Sequence, residues 1–472
     1  MVFSSLLFLF YYLPVVILGY FIIPKNFKNL WLLVVSLFFY AWGEPVFVLL
    51  MIGVILLNFI SGLWIQRLKD IGRLFTARFA LILCIILNLA SLGFFKYADF
   101  LISNINLIPG VSIPLPGIAL PIGVSFFTFQ ALSYTIDVYR GDVSAQRSPV
   151  AFGTYVALFP QLIAGPIVQY KTIDEQLTNR VHSYDKFGEG VRRFIVGLAK
   201  KVLIANTVGE IWSNISGMDI STLPVLTAWI GILAFTFQIY FDFSGYSDMA
   251  IGLGKMFGFE FLENFNYPYM SKSITEFWRR WHISLGTWFR DYVYIPLGGN
   301  RKGLPKQLRN ILIVWMLTGI WHGASWNFVL WGLYFGILLA IEKLFLLNIL
   351  KRLPSAISHI YTMFIVIISW VIFAFDNASD GFAYLSAMFG GGGALFDNQS
   401  IYLLITNFIL LLIGSIGSTD YPKRFVESLE NKLAKKQTLV TSGACAVLLG
   451  LAVLCVAYLV DASYNPFLYF RF

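Results

Sequence analysis

Long apolar runs alternate with short polar breaks along the whole sequence, and this alternation constrains the fold more than any other feature. The runs lie at residues 6–23, 30–40, 47–65, 79–95, 120–136, 155–168, 191–204, 226–243, 311–321, 328–347, 357–375, 401–416 and 439–460. A straight membrane helix needs about 20 apolar residues, so the shorter runs predict tilted, re-entrant or buried helices. We therefore expect an all-α integral membrane protein with about eleven transmembrane or re-entrant helices, organised as one domain over residues 1–472.

The composition supports a membrane location. The chain of 472 residues is 58% hydrophobic and only 12% charged, whereas soluble domains carry about 25% charged residues. A large soluble core cannot explain this shortage of charge, because a larger core still needs a polar surface. An outer surface that faces membrane lipid explains it directly.

The positive charge is concentrated in the breaks between apolar runs. The basic breaks contain Lys25, Lys28, Arg67, Lys69, Arg73, Arg78, Arg301, Lys302, Lys306, Arg309, Lys351, Arg352, Lys423, Arg424, Lys432, Lys435 and Lys436. The alternate breaks at residues 43–45 and 376–400 contain no Lys or Arg. This positive-inside pattern predicts a multi-pass protein of the cell membrane with its basic breaks in the cytoplasm and both chain ends outside. The middle, residues 140–201, is basic throughout and stays unoriented, and the net charge of +9 needs no nucleic-acid partner.

Residue types with metal or redox chemistry give no site. The three cysteines, Cys84, Cys445 and Cys455, all lie in apolar runs, where we expect small helix residues rather than disulfides or metal ligands. Metal-ligand spacing, a P-loop and a nucleophile elbow are all missing from the sequence. We predict no bound metal and no permanently bound cofactor.

Of the four histidines, His322 lies in the most unusual setting. The segment between Arg309 and Lys351 has a basic break at each end, so it must enter the membrane and return, with its turn near residues 321–326. Thirteen helical residues from Asn310 reach about 20 Å, which predicts His322 deep in the bilayer near the apex of a helical hairpin. A titratable side chain there is a functional candidate by default, and an imidazole suits general-base activation of a hydroxyl. The alternative is a structural histidine that is hydrogen-bonded to a neighbouring carbonyl.

The small residues beside His322 and the settings of the other two histidines lead to two further expectations. Small side chains at positions 319 and 323–325 predict room for a substrate beside His322. His182 lies in a polar loop and His359 at a helix start, and both are expected to be exposed and uninvolved.

His282 belongs to an aromatic and charged segment within residues 267–309, which predicts amphipathic or re-entrant helices rather than plain spans. On one continuous helix, five residues would share a face: Trp278, Trp281, His282, Leu285 and Phe289. The charged residues, Arg290 among them, would lie around the other side. Glu276 and Arg280 are four residues apart and could pair. An interfacial helix with aromatic anchors and solvated charges is the alternative to a functional site.

A third polar cluster lies at residues 240–248, where an apolar run ends. It contains two carboxylates, Asp242 and Asp248, together with two serines. We interpret it as a helix break that lines a cavity, where the carboxylates would orient a histidine. Helix capping is the commoner alternative.

Eight short motifs occur in order along the chain. They are residues 1–5 (MVFSS), 39–42 (FYAW), 121–127 (PIGVSFF), 159–167 (FPQLIAGPI), 240–250 (YFDFSGYSDMA), 277–285 (FWRRWHISL), 321–326 (WHGASW) and 466–472 (PFLYFRF). Together they resemble the membrane-bound O-acyltransferase (MBOAT) family, in particular its bacterial branch that includes alginate O-acetyltransferases. So many ordered matches, over almost the whole chain, are far more specific than any single motif.

The resemblance implies that His322 occupies the essential histidine position of the family and that His282 occupies its partner position. It also implies a funnel-shaped helical core, in which acetyl-CoA, the expected acyl donor, enters from the cytoplasm and the acyl group emerges outside. A separate extracytoplasmic partner protein would complete the transfer to hydroxyl groups of a polysaccharide.

On this hypothesis His322 is the general base toward a hydroxyl that attacks the acetyl thioester, and His282 orients donor or acceptor. The expected substrate contacts are Trp278, Arg279, Arg280, Trp281, Trp321, Ser325, Trp326, Asn327, Asp242 and Asp248. The alternative within the family is a D-alanyl transferase for teichoic acids, which takes its thioester from a carrier protein. The alternative from another class, a polysaccharide or lipid transporter, often shows internal repeats, and none is visible in this sequence.

Overall fold

A computed structural model describes residues 1–163, 165–432, 437–461 and 464–468. The described residues form helices and connecting loops without strands, which confirms the all-α prediction. They group into two compact units, Met1–Phe194 with Met249–Leu262, and Ile195–Asp248 with Glu263–Phe472. The assignment of a single domain stays a prediction.

The first unit is built from apolar helices whose bounds follow the predicted runs, with one exception. Its helices are Phe8–Ile22, Lys28–Gly43, Val48–Asp70, Leu74–Ile105, Val124–Arg140, Pro149–Ala157, Phe159–Leu162 and Tyr170–Thr178, followed by the start of Tyr184–Ala199. The run at residues 155–168 is not a span, because the chain leaves the helix at Leu158. Pro160 has no amide hydrogen to donate to the carbonyl oxygen of Val156, and its ring would clash with that carbonyl, while the amide of Phe159 donates to the hydroxyl of Ser36 at 3.0 Å.

Buried polar side chains join three helices of the first unit. The Nδ2 of Asn58 donates to the Oδ1 of Asn88 at 2.9 Å, and the hydroxyl of Thr135 donates to the Oδ1 of Asn58 at 2.9 Å. Cys84, which is buried, donates to the same Asn58 oxygen at 3.4 Å. Hydrogen bonds of this kind between membrane helices contribute about 0.6 kcal/mol on average, and they fix which helix faces meet.

The second unit combines long helices with several short ones. Its helical segments are Lys200–Ala205, Asn206–Ser216, Ile220–Thr222, the greater part of Val225–Met256, Pro268–Met270, Ile274–Arg280, Ile283–Phe289, Arg290–Tyr294, Leu304–His322, Trp326–Ile341, Glu342–Leu346, Leu347–Leu350, Ser355–Ala374, Ala378–Met388, Asn398–Gly417, Tyr421–Lys432 and Gln437–Asp461. The short helices at residues 268–294 confirm the prediction that this region does not form plain spans.

Seven of the described helices are long and apolar enough to cross a membrane. They are Val48–Asp70, Leu74–Ile105, Val225–Met256, Trp326–Leu350, Ser355–Ala374, Asn398–Gly417 and Val440–Asp461. This confirms a multi-pass membrane protein, in which the remaining predicted runs form shorter or more polar helices. Only 6% of the apolar window in Val440–Asp461 is buried, so nearly all of that helix is left to face lipid.

The predicted helical hairpin is present and is closely packed. Helices Leu304–His322 and Trp326–Ile341 lie against each other with their turn at residues 323–325. A Cβ atom on Gly319 would lie 2.3 Å from the carbonyl oxygen of Phe328, and one on Gly323 would lie 2.1 Å from the ring of Phe328. At these two glycines the expectation of room for a substrate is therefore wrong, because the second helix of the hairpin fills the space beside them; at positions 324 and 325 it stays a prediction.

Candidate active site

His322 is the last residue of helix Leu304–His322 and is buried, with 4% of its surface exposed. Its imidazole is enclosed by aromatic rings, with centroid distances of 5.0 Å to Trp321, 5.0 Å to Trp331 and 5.4 Å to Phe373. The carbonyl groups at a helix C-terminus carry a partial negative charge that favours a cation there. The helix end therefore offsets part of the cost that burial imposes on a charged imidazole at this position.

The neighbours of His322 indicate which end of the hairpin it occupies. Phe373 is the last residue but one of helix Ser355–Ala374, whose other end follows the basic break at Lys351 and Arg352. The 19 residues of the first hairpin helix span about 28 Å, close to the roughly 30 Å of a hydrocarbon core. His322 therefore lies toward the end of both helices that is remote from the basic breaks.

His282 does not lie within a continuous helix, so that part of the prediction is wrong, although the five residues expected to share a face all line one cavity. Its backbone has φ 45° and ψ 52°, and it separates helices Ile274–Arg280 and Ile283–Phe289. The cause is a distant partner: the amide of Ile283 donates to the carbonyl oxygen of Asn264 at 3.0 Å instead of continuing the helical ladder. A left-handed residue of this type is uncommon outside glycine and indicates a constrained position.

The side chain of Asn264 orients the imidazole of His282. Its Oδ1 accepts from the amide of Ser284 at 3.2 Å and from the Ser284 hydroxyl at 2.8 Å, which identifies this atom as the amide oxygen. The same oxygen lies 3.2 Å from Nδ1 of His282, so Nδ1 carries the hydrogen and donates it. In the neutral ring the lone pair then lies on Nε2, which can accept a proton or a hydrogen bond.

One indole ring connects the two histidines. The ring of Trp321 lies 5.9 Å from that of His282 and 5.0 Å from that of His322, measured between centroids. On another side of His282, the ring of Phe243 packs edge to face at 4.7 Å. The structure therefore brings together His282, Trp321 and His322, which are predicted site residues from two separate motifs.

A cavity of about 230 Å³ opens beside His282. It is lined by Trp278, Trp281, His282, Leu285, Gly286, Phe289, Arg290, Tyr294, Ile311, Val314, Trp315 and Thr318. Trp278 and Trp281, two of the predicted substrate contacts, thus line the cavity, and their contact with a substrate stays a prediction. Arg290 was expected on the opposite face, but the break in the helix at His282 turns it toward the cavity.

The cavity extends along the hairpin toward its basic start. The side chains that the first hairpin helix contributes lie on one face, since Thr318 follows Ile311 and Val314 at helical spacing, and His322 is one turn beyond Thr318. At the other end, Tyr294 accepts a hydrogen bond from Gln307, which lies in the first turn of that helix. A ligand in the cavity can therefore reach from the basic end to His282, whereas His322 lies outside the lining of this cavity.

Two predicted arginines lie outside the cavity lining. Arg279 is exposed. Arg280 pairs with Glu276 at 2.8 Å, which confirms the predicted i,i+4 ion pair, and it also donates to the carbonyl oxygen of Asn266 at 3.2 Å. Contacts between these arginines and a substrate stay a prediction.

The residues after His322 hold the turn of the hairpin. The side-chain amide of Asn327 donates to the carbonyl oxygen of Phe375 at 2.6 Å, and its oxygen accepts from the hydroxyl of Ser325. These contacts tie the start of the second hairpin helix to the end of helix Ser355–Ala374. Trp326 is 57% exposed, so it faces away from the packed interior.

The cluster at residues 240–248 lies inside the continuous helix Val225–Met256, so the predicted helix break and its capping alternative are both wrong. Asp242 forms a buried ion pair with Lys201 at 2.6 Å, and it accepts from the amide of Leu468 at 2.8 Å. Asp248 pairs with Lys200 at 2.7 Å. A buried carboxylate requires a partner of this kind, and a substrate role for these aspartates stays a prediction.

Glu342 is a buried carboxylate that our sequence analysis missed. It accepts hydrogen bonds from the amides of Ile274 and Thr275 at 2.7 and 2.8 Å, and from the hydroxyl of Thr275 at 2.7 Å. It thus connects the hairpin to the start of the helix that carries Trp278. A signal was present, since an acidic residue inside an apolar run is a functional candidate.

Comparison with known proteins identifies the family. The profile of the membrane-bound O-acyltransferase family matches residues 142–379, which include both site histidines. A probable alginate O-acetylase of Pseudomonas putida is 41% identical over an alignment that covers 100% of both chains. A peptidoglycan O-acetyltransferase of Helicobacter pylori is 36% identical, over 83% of this chain and 80% of its own length.

A more distant similarity covers less of the molecule. A teichoic acid D-alanyltransferase of Bacillus subtilis is 28% identical over 48% of this chain and 59% of its own length. The helical membrane fold and the histidine site define a membrane-embedded transferase. The chain belongs to the membrane-bound O-acyltransferase family and is an acyltransferase.

Proposed function

We propose that this acyltransferase moves an acetyl group from cytoplasmic acetyl-CoA toward hydroxyl groups of an extracytoplasmic polysaccharide. The observation that carries this proposal is the cavity, which reaches from the basic end of the hairpin to His282. The relatives named for acetylation of alginate and peptidoglycan match most or all of the chain, whereas the D-alanyltransferase matches less than half. This difference favours acetyl over D-alanyl as the acyl group.

The volume of the cavity and the arginine in its lining fit a thioester donor of which only the acyl end enters. Sites that enclose a whole drug-sized ligand measure about 300–1,000 Å³, and this cavity measures about 230 Å³. It would hold the acetyl group and the slender thiol arm, while the anionic nucleotide stays at the surface. Arg290 lines the cavity, and its Nε pairs with Asp291 at 2.8 Å. Its side chain is 60% exposed, so its terminal guanidinium nitrogens can attract the donor phosphates.

His322 acts in this proposal as the general base. It removes the proton from the acceptor hydroxyl while the oxygen attacks the thioester carbonyl carbon; the carbon–sulfur bond then breaks and the thiolate leaves. The proton on the imidazolium is available to the leaving thiolate, which restores the neutral histidine. Proton transfer of this kind contributes about 10²–10⁴-fold to the rate, and positioning of the two substrates supplies the remainder.

His282 acts by orientation. Because Asn264 holds the hydrogen on Nδ1, the Nε2 atom can accept a hydrogen bond from donor or acceptor without changing its protonation state. A bulky polymer cannot enter a cavity of this size, so the immediate acceptor is a side-chain hydroxyl on an extracytoplasmic partner protein. That partner then completes the transfer to the polysaccharide.

The experiment uses inside-out membrane vesicles that contain the protein and its cellular partners. Radiolabelled acetyl-CoA added outside these vesicles should label polymer or partner protein within them. His322→Ala should abolish the transfer at equal protein level, while His359→Gln, which changes a histidine outside the site, should retain it. Normal transfer by His322→Ala, or transfer of carrier-bound D-alanine in place of acetyl, would contradict the proposal.

A further inference from the structure

Two cationic side chains and a histidine surround Tyr20 in the first unit. The Nζ of Lys28 lies 4.5 Å from the centre of the Tyr20 ring, and the guanidinium carbon of Arg180 lies 5.9 Å from it. The Tyr20 hydroxyl donates to the carbonyl oxygen of Phe257 at 2.8 Å, so it accepts from Nε2 of His182, also at 2.8 Å. His182 is largely exposed, as predicted, but its ring is partly covered through its contact with Tyr20.

These contacts indicate on which side of the membrane a segment lies that the distribution of basic residues did not orient. Arg180 and His182 lie in the loop between helices Tyr170–Thr178 and Tyr184–Ala199. Their contacts with Tyr20 and Lys28 bring this loop to the same end of the unit as the first basic break. The cluster therefore lies on the face predicted to be cytoplasmic.

Nearby carboxylates do not neutralise the cluster. Glu260 pairs with Lys186 at 2.6 Å and Glu189 pairs with Lys255 at 2.6 Å. Within the described ranges of the chain, no ion pair joins a carboxylate to Lys28 or Arg180. A concentration of uncompensated positive charge attracts an anion.

The electrostatics of His182 agree with this description. Burial lowers the pKa of His182, and the positive charges of Lys28, Arg180 and Lys25 lower it further. The hydrogen bond with Phe257 opposes this shift only in part. An anion bound beside the loop would relieve the repulsion among these groups.

Arg180 provides an open donor. Its guanidinium stacks over the ring of Phe259 at 4.5 Å, which fixes the plane of the group. Its Nη1 atom is buried, and no hydrogen-bond acceptor meets it among the residues that the structure describes. A buried donor on a charged group is costly to leave unmatched, so a phosphate oxygen at this position is favoured.

The rim of the cluster is apolar and exposed, which indicates the source of the phosphate. Ile22 is 80% exposed and Phe27 57% exposed, and in the loop Val181 is 67% exposed and Tyr184 99% exposed. Aromatic and apolar side chains beside basic ones are typical of the membrane interface. A lipid could place its headgroup among the cations and its acyl chains along this rim, whereas a soluble anion would gain nothing from the rim.

We propose that Lys28, Arg180 and His182 form a site for the phosphate headgroup of an anionic membrane lipid on the cytoplasmic face. Juxtamembrane basic residues attract anionic lipids over short distances, and here the cation–π stacking and the Tyr20 hydrogen bond hold the cations in place. Lipid binding at this site does not depend on acyl transfer, so this proposal is independent of the function proposed above.

The test uses the full-length protein in neutral detergent, titrated with short-chain phosphatidylglycerol, and reads out the lipid-dependent rise in unfolding temperature. Phosphatidylcholine of the same chain length and inorganic phosphate serve as the other two arms. Phosphatidylglycerol should stabilise the wild type at the lowest concentration. Lys28→Gln and Arg180→Gln should each weaken its apparent affinity about fivefold.

Two further variants keep the test decisive. Lys186→Gln removes a lysine that is paired with Glu260 and should leave the affinity unchanged. The charge-preserving double variant Lys28→Arg with Arg180→Lys should fold and keep most of the affinity. Equal affinity in the charge-neutralised proteins, an equal loss in Lys186→Gln, or equal stabilisation by phosphatidylcholine or by inorganic phosphate would overturn the proposal.

Discussion

The two histidines of the site are held by different means. His322 ends a long helix, and its position follows from packing within a hairpin that is continuous in sequence. His282 occupies a left-handed turn between two seven-residue helices, and its ring is oriented by Asn264, which lies 18 residues away. The comparison indicates that His322 depends on helix packing, whereas His282 depends on a single turn and its partner.

The largest effect should come from His322→Ala. Loss of the base should lower acetyl transfer by about 10²–10⁴-fold with little change in the amount of folded protein, since the helix ends at this residue. Initial rates of labelled acetyl transfer at matched protein levels provide the measurement. A loss below tenfold would assign the proton transfer to another group.

Two substitutions at His282 separate the loss of its imidazole from the strain of its left-handed backbone. His282→Asn and His282→Ala should both lower transfer, by about 10²-fold through misplaced substrate. Asparagine tolerates the left-handed region, whereas alanine there costs about 1 kcal/mol, so the alanine variant should also unfold at a lower temperature. Equal stability of the two variants would contradict the strain assigned to this turn.

A larger side chain where the two hairpin helices touch should destabilise the hairpin. Gly319→Ala places a methyl group against the backbone of Phe328, so it should destabilise the protein by about 1–3 kcal/mol. Gly53→Ala is the matched control, because a Cβ atom there meets nothing within 4 Å, and it should be neutral or slightly stabilising. Thermal unfolding in detergent measures both, and equal effects would show that the hairpin does not need this close approach.

The smallest effect should come from Glu342→Gln. The amide keeps the shape, but its NH2 group cannot accept from the backbone amide that the second carboxylate oxygen served, so one of the hydrogen bonds to Ile274 and Thr275 is lost at a cost of about 1 kcal/mol. Because the helix so held carries Trp278, we expect KM for the donor to rise more than kcat falls. An unchanged KM with reduced stability would limit Glu342 to a structural role.

The helical fold could be predicted from the sequence because membrane helices are recognised by the length of their apolar runs and by the unequal distribution of basic residues between the breaks. It also predicted the hairpin apex at His322, which depends only on local order along the chain. It failed at residues 155–168, where Pro160 ends the helix within an apolar run. Proline was visible there, but apolar content alone suggested a span.

The remaining errors concern contacts between distant segments. Helical periodicity placed His282 and Arg290 on opposite faces, because nothing near His282 in the sequence reveals that Asn264 takes the amide of Ile283. The aspartates 242 and 248 suggested a broken helix, but each is matched by a lysine from another helix. Charge pairing across long separations is not visible in a single sequence.

The most direct test of the account is the sidedness of the site. In a protein without Cys84, Cys445 and Cys455, cysteines are introduced as Gly286→Cys in the cavity and as Trp326→Cys at the far end of the hairpin. We predict that an impermeant maleimide labels position 286 only from the cytoplasm, that acetyl-CoA protects it, and that position 326 is labelled only from outside. Labelling of both positions from one face, or no protection by acetyl-CoA, would contradict a donor path that leads from the basic face to the histidines.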